Sequence, residues 1–157
     1  MLQKLLLTAI LTASLFGVEI VINKSQDIYK NATFVRNSIK EIVTNTTIGL
    51  VWQDDTSVKS VRKTWSGAKS YCKNLNFAGY SDWFLPTISQ LESLVDNKKY
   101  NPAIKKEFKN SVSSNYWSSS SYVSDSRNAW YIYFEYGGSN YNLKSFNLYV
   151  RCARARQ

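Results

Sequence analysis

The stretch Thr64-Trp65-Ser66-Gly67-Ala68-Lys69-Ser70-Tyr71-Cys72-Lys73-Asn74-Leu75-Asn76 organises everything around it. Trp65, Ala68, Tyr71, Cys72 and Leu75 recur at helical spacing, so one face is apolar and carries Cys72. Thr64 stands where a helix N-cap belongs. The pattern predicts a helix over 64–76, ended by a turn around Gly79. The only other cysteine, Cys152, ends the series Leu148, Val150, Cys152, which alternates with Tyr149, Arg151 and Ala153. That period of two predicts a last strand with Cys152 on its apolar side and Arg151 on the other. Each cysteine therefore lies on an apolar face, one helical and one extended.

Working outward, Thr87-Ile88-Ser89-Gln90 has the form of a capping box. Ile88, Leu91, Leu94 and Val95 then give a second helix an inward stripe. Leu85-Pro86 sets its entry, because proline disfavours helix in the residue before it. Asn101-Pro102 reads as a further helix start, with Ala103, Ile104 and Phe108 turned inward. Upstream, Ile48–Gln53 is a short buried strand ending at Asp54-Asp55, preceded by a turn at Asn45-Thr46-Thr47. Shorter β-branched pieces lie at Val18–Asn23, Phe34-Val35 and Ile39–Thr44. Downstream, Trp130, Ile132 and Phe134 alternate with Tyr131, Tyr133 and Glu135 before a Gly137-Gly138 turn. With no repeat and no long linker, the pattern predicts one α+β domain. Its two main helices pack on short antiparallel sheets, and long loops occupy its C-terminal half.

The N-terminus reads differently. Lys4 precedes an uncharged apolar run, Leu5–Phe16, and then Gly17, which are the parts of a secretory signal peptide. The run is shorter than the roughly 20 residues a spanning helix needs. The expected organisation is a signal peptide at 1–17, an N-terminal strand or arm at 18–40, and the domain proper at 41–157. The expected location is extracytoplasmic, periplasmic or at the cell surface, with no membrane span left after cleavage. In an oxidising compartment the two cysteines read as a disulfide, and without export they read as two thiols. A bridge closing 80 residues would contribute about 4–5 kcal/mol by loop entropy.

Twenty Lys and Arg against 11 Asp and Glu give the full chain a charge of +9. Such a charge favours anionic partners, namely acidic polysaccharide, an anionic lipid surface or nucleic acid, and export argues against the last. The expected partner is an anionic glycan or a protein. The basic residues are spread along the chain, from Lys24 and Lys30 to Lys98, Lys99, Lys105, Lys106 and Lys109, as on a solvated face. The chain has no histidine, which removes the commonest general base and zinc ligand. If both cysteines are bridged, no thiol is left for catalysis. Asp54 beside Asp55, and Asp82 near Glu92, are acids of the kind that turns and caps use. The expectation is therefore no catalytic residue, no metal and no cofactor.

Five phrases taken in order carry a family resemblance: Thr47–Asp54 (TIGLVWQD), Thr64-Trp65 with Ala68 and Tyr71-Cys72, Gly79–Thr87 (GYSDWFLPT), Tyr116–Ser119 (YWSS) and Val150-Arg151-Cys152. Together they resemble the Lcl C-terminal domain family from about Ile42 to Arg154. The resemblance implies a C-type-lectin-like fold, related to formylglycine-generating and phage receptor-binding domains, in which a helix cysteine pairs with one in the last strand. Phe84 departs from the arginine common in the family. The second disulfide of many animal lectin domains is absent, as are the Glu-Pro-Asn, Gln-Pro-Asp and Trp-Asn-Asp signatures of calcium-dependent sugar binding. Kinship with formylglycine-generating oxidases would require active-site cysteines that this chain does not have to spare.

Residues 111–150 hold 11 Ser, 7 Tyr, 5 Asn and 2 Gly but only four charged residues, Asp125, Arg127, Glu135 and Lys144. Binding loops favour this mixture, since Tyr supplies area at low entropy cost and Ser and Asn adapt their hydrogen bonds. The candidate contacts are Tyr122, Arg127, Asn128, Tyr136, Asn140, Tyr141 and Asn142, expected in or beside loops. The competing reading is that Ser and Asn fill turns and Tyr suits half-exposed strands. Of the tryptophans, Trp52, Trp65, Trp83 and Trp117 fall in the family phrases and Trp130 on the inward strand face, so core packing is expected for most of them. The functional expectation is a non-catalytic binding module, with a structural or docking domain of the envelope as the alternative.

Overall fold

A computed structural model describes residues 33–157. The signal peptide and the Val18–Asn23 strand expected above lie outside the described residues. The chain forms β1 (Phe34–Asn37), β2 (Ile42–Asn45), β3 (Leu50–Gln53), a 3-10 turn (Thr56–Lys59) and β4 (Arg62–Lys63). Helices α1 (Trp65–Lys73) and α2 (Ile88–Glu92) follow. The remainder is β5 (Asn115–Ser121), β6 (Asn128–Tyr133), β7 (Gly138–Leu143), β8 (Leu148–Tyr149) and β9 (Ala153–Ala155). The result is a mixed α+β fold of mostly sheet and few helices.

Two sheets carry it, one in the order β1-β2-β3-β9 and the other in the order β4-β8-β5-β6-β7. Pairing is antiparallel except between β5 and β8. Short turns set the first sheet. Asn37 accepts from the amides of Ile39 and Lys40, and Asn45 accepts from those of Thr47 and Ile48. Asn45 is fully buried in that role.

Both predicted caps form. The Thr64 hydroxyl accepts from the Gly67 amide at the start of α1. The Thr87 and Gln90 side chains each accept from the other's backbone amide at the start of α2. Helix α2 is shorter than its stripe suggested, but Leu91 and Leu94 are still fully buried. Asn101-Pro102 starts no helix. The Asn101 amide donates to Glu135 O and the Ala103 amide to Phe134 O. Tertiary hydrogen bonds to the chain leaving β6 therefore fix this segment. Ala103, Ile104 and Phe108 point inward as expected.

The strands feed two apolar clusters. Val43, Trp52, Leu91, Tyr116, Ile132 and Phe134 belong to one. Val51, Ala68, Trp83, Trp117, Val150 and the two cysteines belong to the other. Adjacent residues of β3 and of β5 go to opposite clusters, so both strands are buried on both faces. This accounts for the unbroken apolar run at Leu50–Trp52. Cys72 and Cys152 form a disulfide, fastening α1 to the segment that enters β9.

The last strand is not continuous. Val150, Arg151 and Cys152 cross from β8 in one sheet to β9 in the other. Arg151 is consequently not on a solvent face but fully buried. Its Nη1 donates to Asp54 Oδ1 at 2.9 Å and to Gln53 O at 2.8 Å, and its Nη2 donates to Asn110 O and Ser111 Oγ. Asp54, also fully buried, is paired with Arg36 as well. It accepts from the amides of Lys109 and Asn110, at 2.9 and 3.2 Å. What reads as an acidic turn is the knot that ties β1, β3, the 105–110 loop and the sheet crossover together.

The C-terminal half also differs from expectation. Residues 115–143 are mostly the three antiparallel strands β5, β6 and β7, so the Ser-, Tyr- and Asn-rich segment is a sheet rather than long loops. The longer irregular stretch is the one between α2 and β5.

Candidate ligand-binding surface

In β6 and β7 successive side chains point to opposite faces, and the register divides the candidate residues accordingly. Tyr131 is opposite Asn140, Tyr133 opposite Gly138 and Ala129 opposite Asn142, while Trp130 is opposite Tyr141. On the Tyr131 face, Tyr131, Tyr133, Asn115 and Asn140, with Tyr136 of the turn that follows β6, help to line a depression of about 390 Å³. Tyr131 is propped edge-on against the buried Trp117, and Tyr133 meets Tyr136 edge to face at 4.7 Å. On the opposite face Tyr141 stacks on Tyr122 at 3.9 Å, and both meet the edge of Trp130. Trp130 is half-buried in this aromatic group and is not in the main core.

The seven predicted contacts are therefore not one site. Tyr136 and Asn140 line the depression, and Asn142 shares their face by register. Tyr122 and Tyr141 lie on the other face. Asn128 begins β6 and is buried, so it presents no free amide surface. Arg127 is exposed and forks onto Asp125, two residues back, at 2.8 to 3.2 Å. That guanidinium holds the Asp125 carboxyl down to about 2, from the ordinary 3.8. Asn140 and Asn142 also accept from the amides of Tyr141 and Leu143. β7 is the last strand of its sheet, and these side-chain bonds occupy amides that an added strand would otherwise use.

A second concavity, of about 530 Å³, lies alongside. Lys99, Tyr100, Lys105, Lys106, Phe108 and Lys109 help to line it. Tyr100 and Tyr136 face each other nearly parallel at 6.5 Å, so this pair forms the ridge between the lysine groove and the tyrosine depression. The Tyr100 hydroxyl donates to Glu135 at 2.8 Å, and the carboxylate raises its pKa above the ordinary 10. Among the described residues, Lys105, Lys106 and Lys109 enter no salt bridge, and Lys99 is only 3.9 Å from Asp96. The loop bearing Lys109 is anchored by Asp54. The sequence reading treated these lysines as a scattered solvated set. Their convergence depends on the path of the 99–109 segment, which has no periodicity to announce it. Tyr131, Tyr133 and Asn115 were likewise missed as lining residues, although the alternation in β6 already put Tyr131 and Tyr133 on one outward face.

Two of the carboxylates noted in the sequence are held by arginines. Asp54 is fully engaged, and Asp82 is paired with Arg154 at 2.6 and 3.0 Å, which lowers its pKa below the ordinary 3.8. Among the described residues no three His, Cys, Asp or Glu side chains gather where they could hold a metal ion. No helix among them is long and apolar enough to cross a membrane.

Fold and surface together define a disulfide-closed α+β domain with a basic groove beside an uncharged aromatic depression. The family model of the Lcl C-terminal domain matches residues 41–154, and the chain belongs to that family. Comparison with curated proteins gave no match.

Proposed function

We propose that this domain is a non-catalytic, extracytoplasmic binding module of C-type-lectin-like fold whose lysine groove takes an acidic polysaccharide. The observation that carries the reading is the convergence of Lys99, Lys105, Lys106 and Lys109 on one groove, three of them without a carboxylate partner among the described residues. A repeating carboxylate or sulfate polymer neutralises such a set and gains from a net charge of +9. The Cys72–Cys152 bridge fits an oxidising compartment. A non-catalytic role is favoured because the chain has no histidine, no free thiol and an Asp54 committed to Arg36 and Arg151.

The test is a binding titration of the disulfide-intact protein with dextran sulfate and alginate, with uncharged dextran as control. Binding of the charged polymers at low salt, with the Lys105→Ala/Lys106→Ala/Lys109→Ala variant folded but several-fold weaker, supports the reading. Absence of binding to either polyanion at low salt overturns it.

A further inference from the structure

The tyrosine depression is chemically unlike the lysine groove next to it, and it calls for a different ligand. We propose that it is a subsite for an uncharged pyranose unit. This inference goes beyond the polyanion reading and does not rest on it.

No lining residue carries a charge at neutral pH, in a chain whose net charge is +9. A charged ligand would leave its own charge unpaired there. The phenol hydroxyls that bond within the described protein are those of Tyr71, Tyr100 and Tyr116. Those of Tyr131, Tyr133 and Tyr136 make no such bond among the described residues. The Asn115 amide is likewise free of hydrogen-bond partners there. Hydroxyls and amides both donate and accept, so this set matches a ligand whose own groups do both, as sugar hydroxyls do. A carboxylate only accepts and an ammonium only donates.

The rings supply the other half of the match. Tyrosine offers a flat apolar face with a polar tip, and a pyranose offers a face of C–H groups ringed by hydroxyls. Tyr133 and Tyr136 are inclined at 83°, which makes a corner suited to a compact puckered ring rather than to a flat aromatic one. The volume of about 390 Å³ falls within the roughly 300–1,000 Å³ of small-molecule sites.

The walls are also held in place before any ligand arrives, which lowers the entropy lost on binding. The β6–β7 ladder pairs from Asn128–Leu143 to Tyr133–Gly138 without interruption. Gly137, at φ 80°, lets the turn pass so close to Val95 that an added Cβ would meet its Cγ1 at 2.4 Å.

The experiment is an NMR titration of the disulfide-intact protein with maltotetraose, cellotetraose, chitotetraose and mannotetraose, following tyrosine-ring and backbone amide signals. For at least one sugar, the Tyr131, Tyr133 and Tyr136 rings should shift in a saturable way that salt does not alter. Tyr136→Ala should then weaken binding about tenfold, as loss of a central aromatic contact does. Tyr133→Phe, which removes one hydroxyl and leaves the packing intact, should weaken it less. Tyr141→Ala, on the opposite face, should bind as the parent does, and so should Lys105→Ala. The proposal is overturned if no sugar moves the three rings up to about 20 mM, a ligand weaker than millimolar being no specific one. It is also overturned if Tyr136→Ala and the parent bind equally. Polyanion shifts in the lysine loop, with no neutral sugar moving the three rings, would leave the groove reading standing and this one refuted.

Discussion

At the centre of the fold, around Asp54, a carboxylate and the Arg151 guanidinium are fully buried, with Arg36 closing over them. On the open face of β5–β6–β7, where water would solvate any charge at no cost, the lining residues of the depression carry none. The two regions place charge contrary to solvation alone. A buried charge stays only when its hydrogen bonds are met, and Asp54 meets them with two arginines and two backbone amides. The cost is accepted where one residue must join four chain segments. The exposed face gains from neutrality because hydroxyls, amides and rings adapt to a ligand without prescribing its charge. Charge at the centre therefore serves architecture, and the surface beside the neutral depression gathers lysines in one groove.

Breaking the centre should have the largest effects. Replacing both Cys72 and Cys152 by Ala removes an 80-residue loop closure and should cost about 4–5 kcal/mol, read as a fall in the denaturation midpoint with a steeper slope, because the unfolded chain freed of its cross-link exposes more surface. Asp54→Ala leaves Arg151 buried without its counter-ion and should cost about 3–5 kcal/mol, by the same measurement. Asp54→Ala should loosen the lysine loop as well, because Asp54 holds the amides of Lys109 and Asn110.

Changes at the surface should be smaller and more local. Gly137→Ala must adopt a left-handed φ and press on Val95, at a cost of about 1–3 kcal/mol. Thermal melts check the stability, and the Tyr136 ring signal reports whether the turn has moved. The smallest effect belongs to Asp125. Its folded pKa is depressed to about 2 by Arg127, from the ordinary 3.8. Its contribution is therefore complete above pH 3.8 and is lost as pH falls toward 2. Protection of the Asn128 amide, which donates to Asp125 O, measured relative to its intrinsic exchange rate, should fall over that interval in the parent. In Asp125→Asn it should be low and independent of pH.

The sequence disclosed those parts of the fold that depend on neighbours a few residues apart. Thr64 and Thr87 cap their helices because the groups they bind lie within one turn. Cys72 and Cys152 sit on apolar faces whose periods are visible in the chain, and Trp52, Trp83 and Trp117 are buried as the family phrases implied. What escaped was settled at long range. Arg151 alternates with apolar residues as a surface arginine would, and only Asp54 and Asn110, far away in the chain, make its burial tolerable. Asn101-Pro102 has the form of a helix start, yet its neighbours' amides are taken by Phe134 and Glu135. Composition singled out residues 111–150 but did not divide them between the two faces of the sheet. The strand period of β7 separates Asn140 from Tyr141, so residues adjacent in sequence lie on different faces.

We place the attraction of an acidic polymer in the lysine groove and not in the aromatic face. The most direct test follows dextran sulfate affinity across a salt series for the parent, the Lys105→Ala/Lys106→Ala/Lys109→Ala variant and Tyr136→Ala. Screening over about 8–10 Å at physiological ionic strength should weaken the parent steeply as salt rises. The lysine variant should show a flatter slope, and Tyr136→Ala should keep the parent's slope. A lysine variant whose slope equals the parent's would contradict the account.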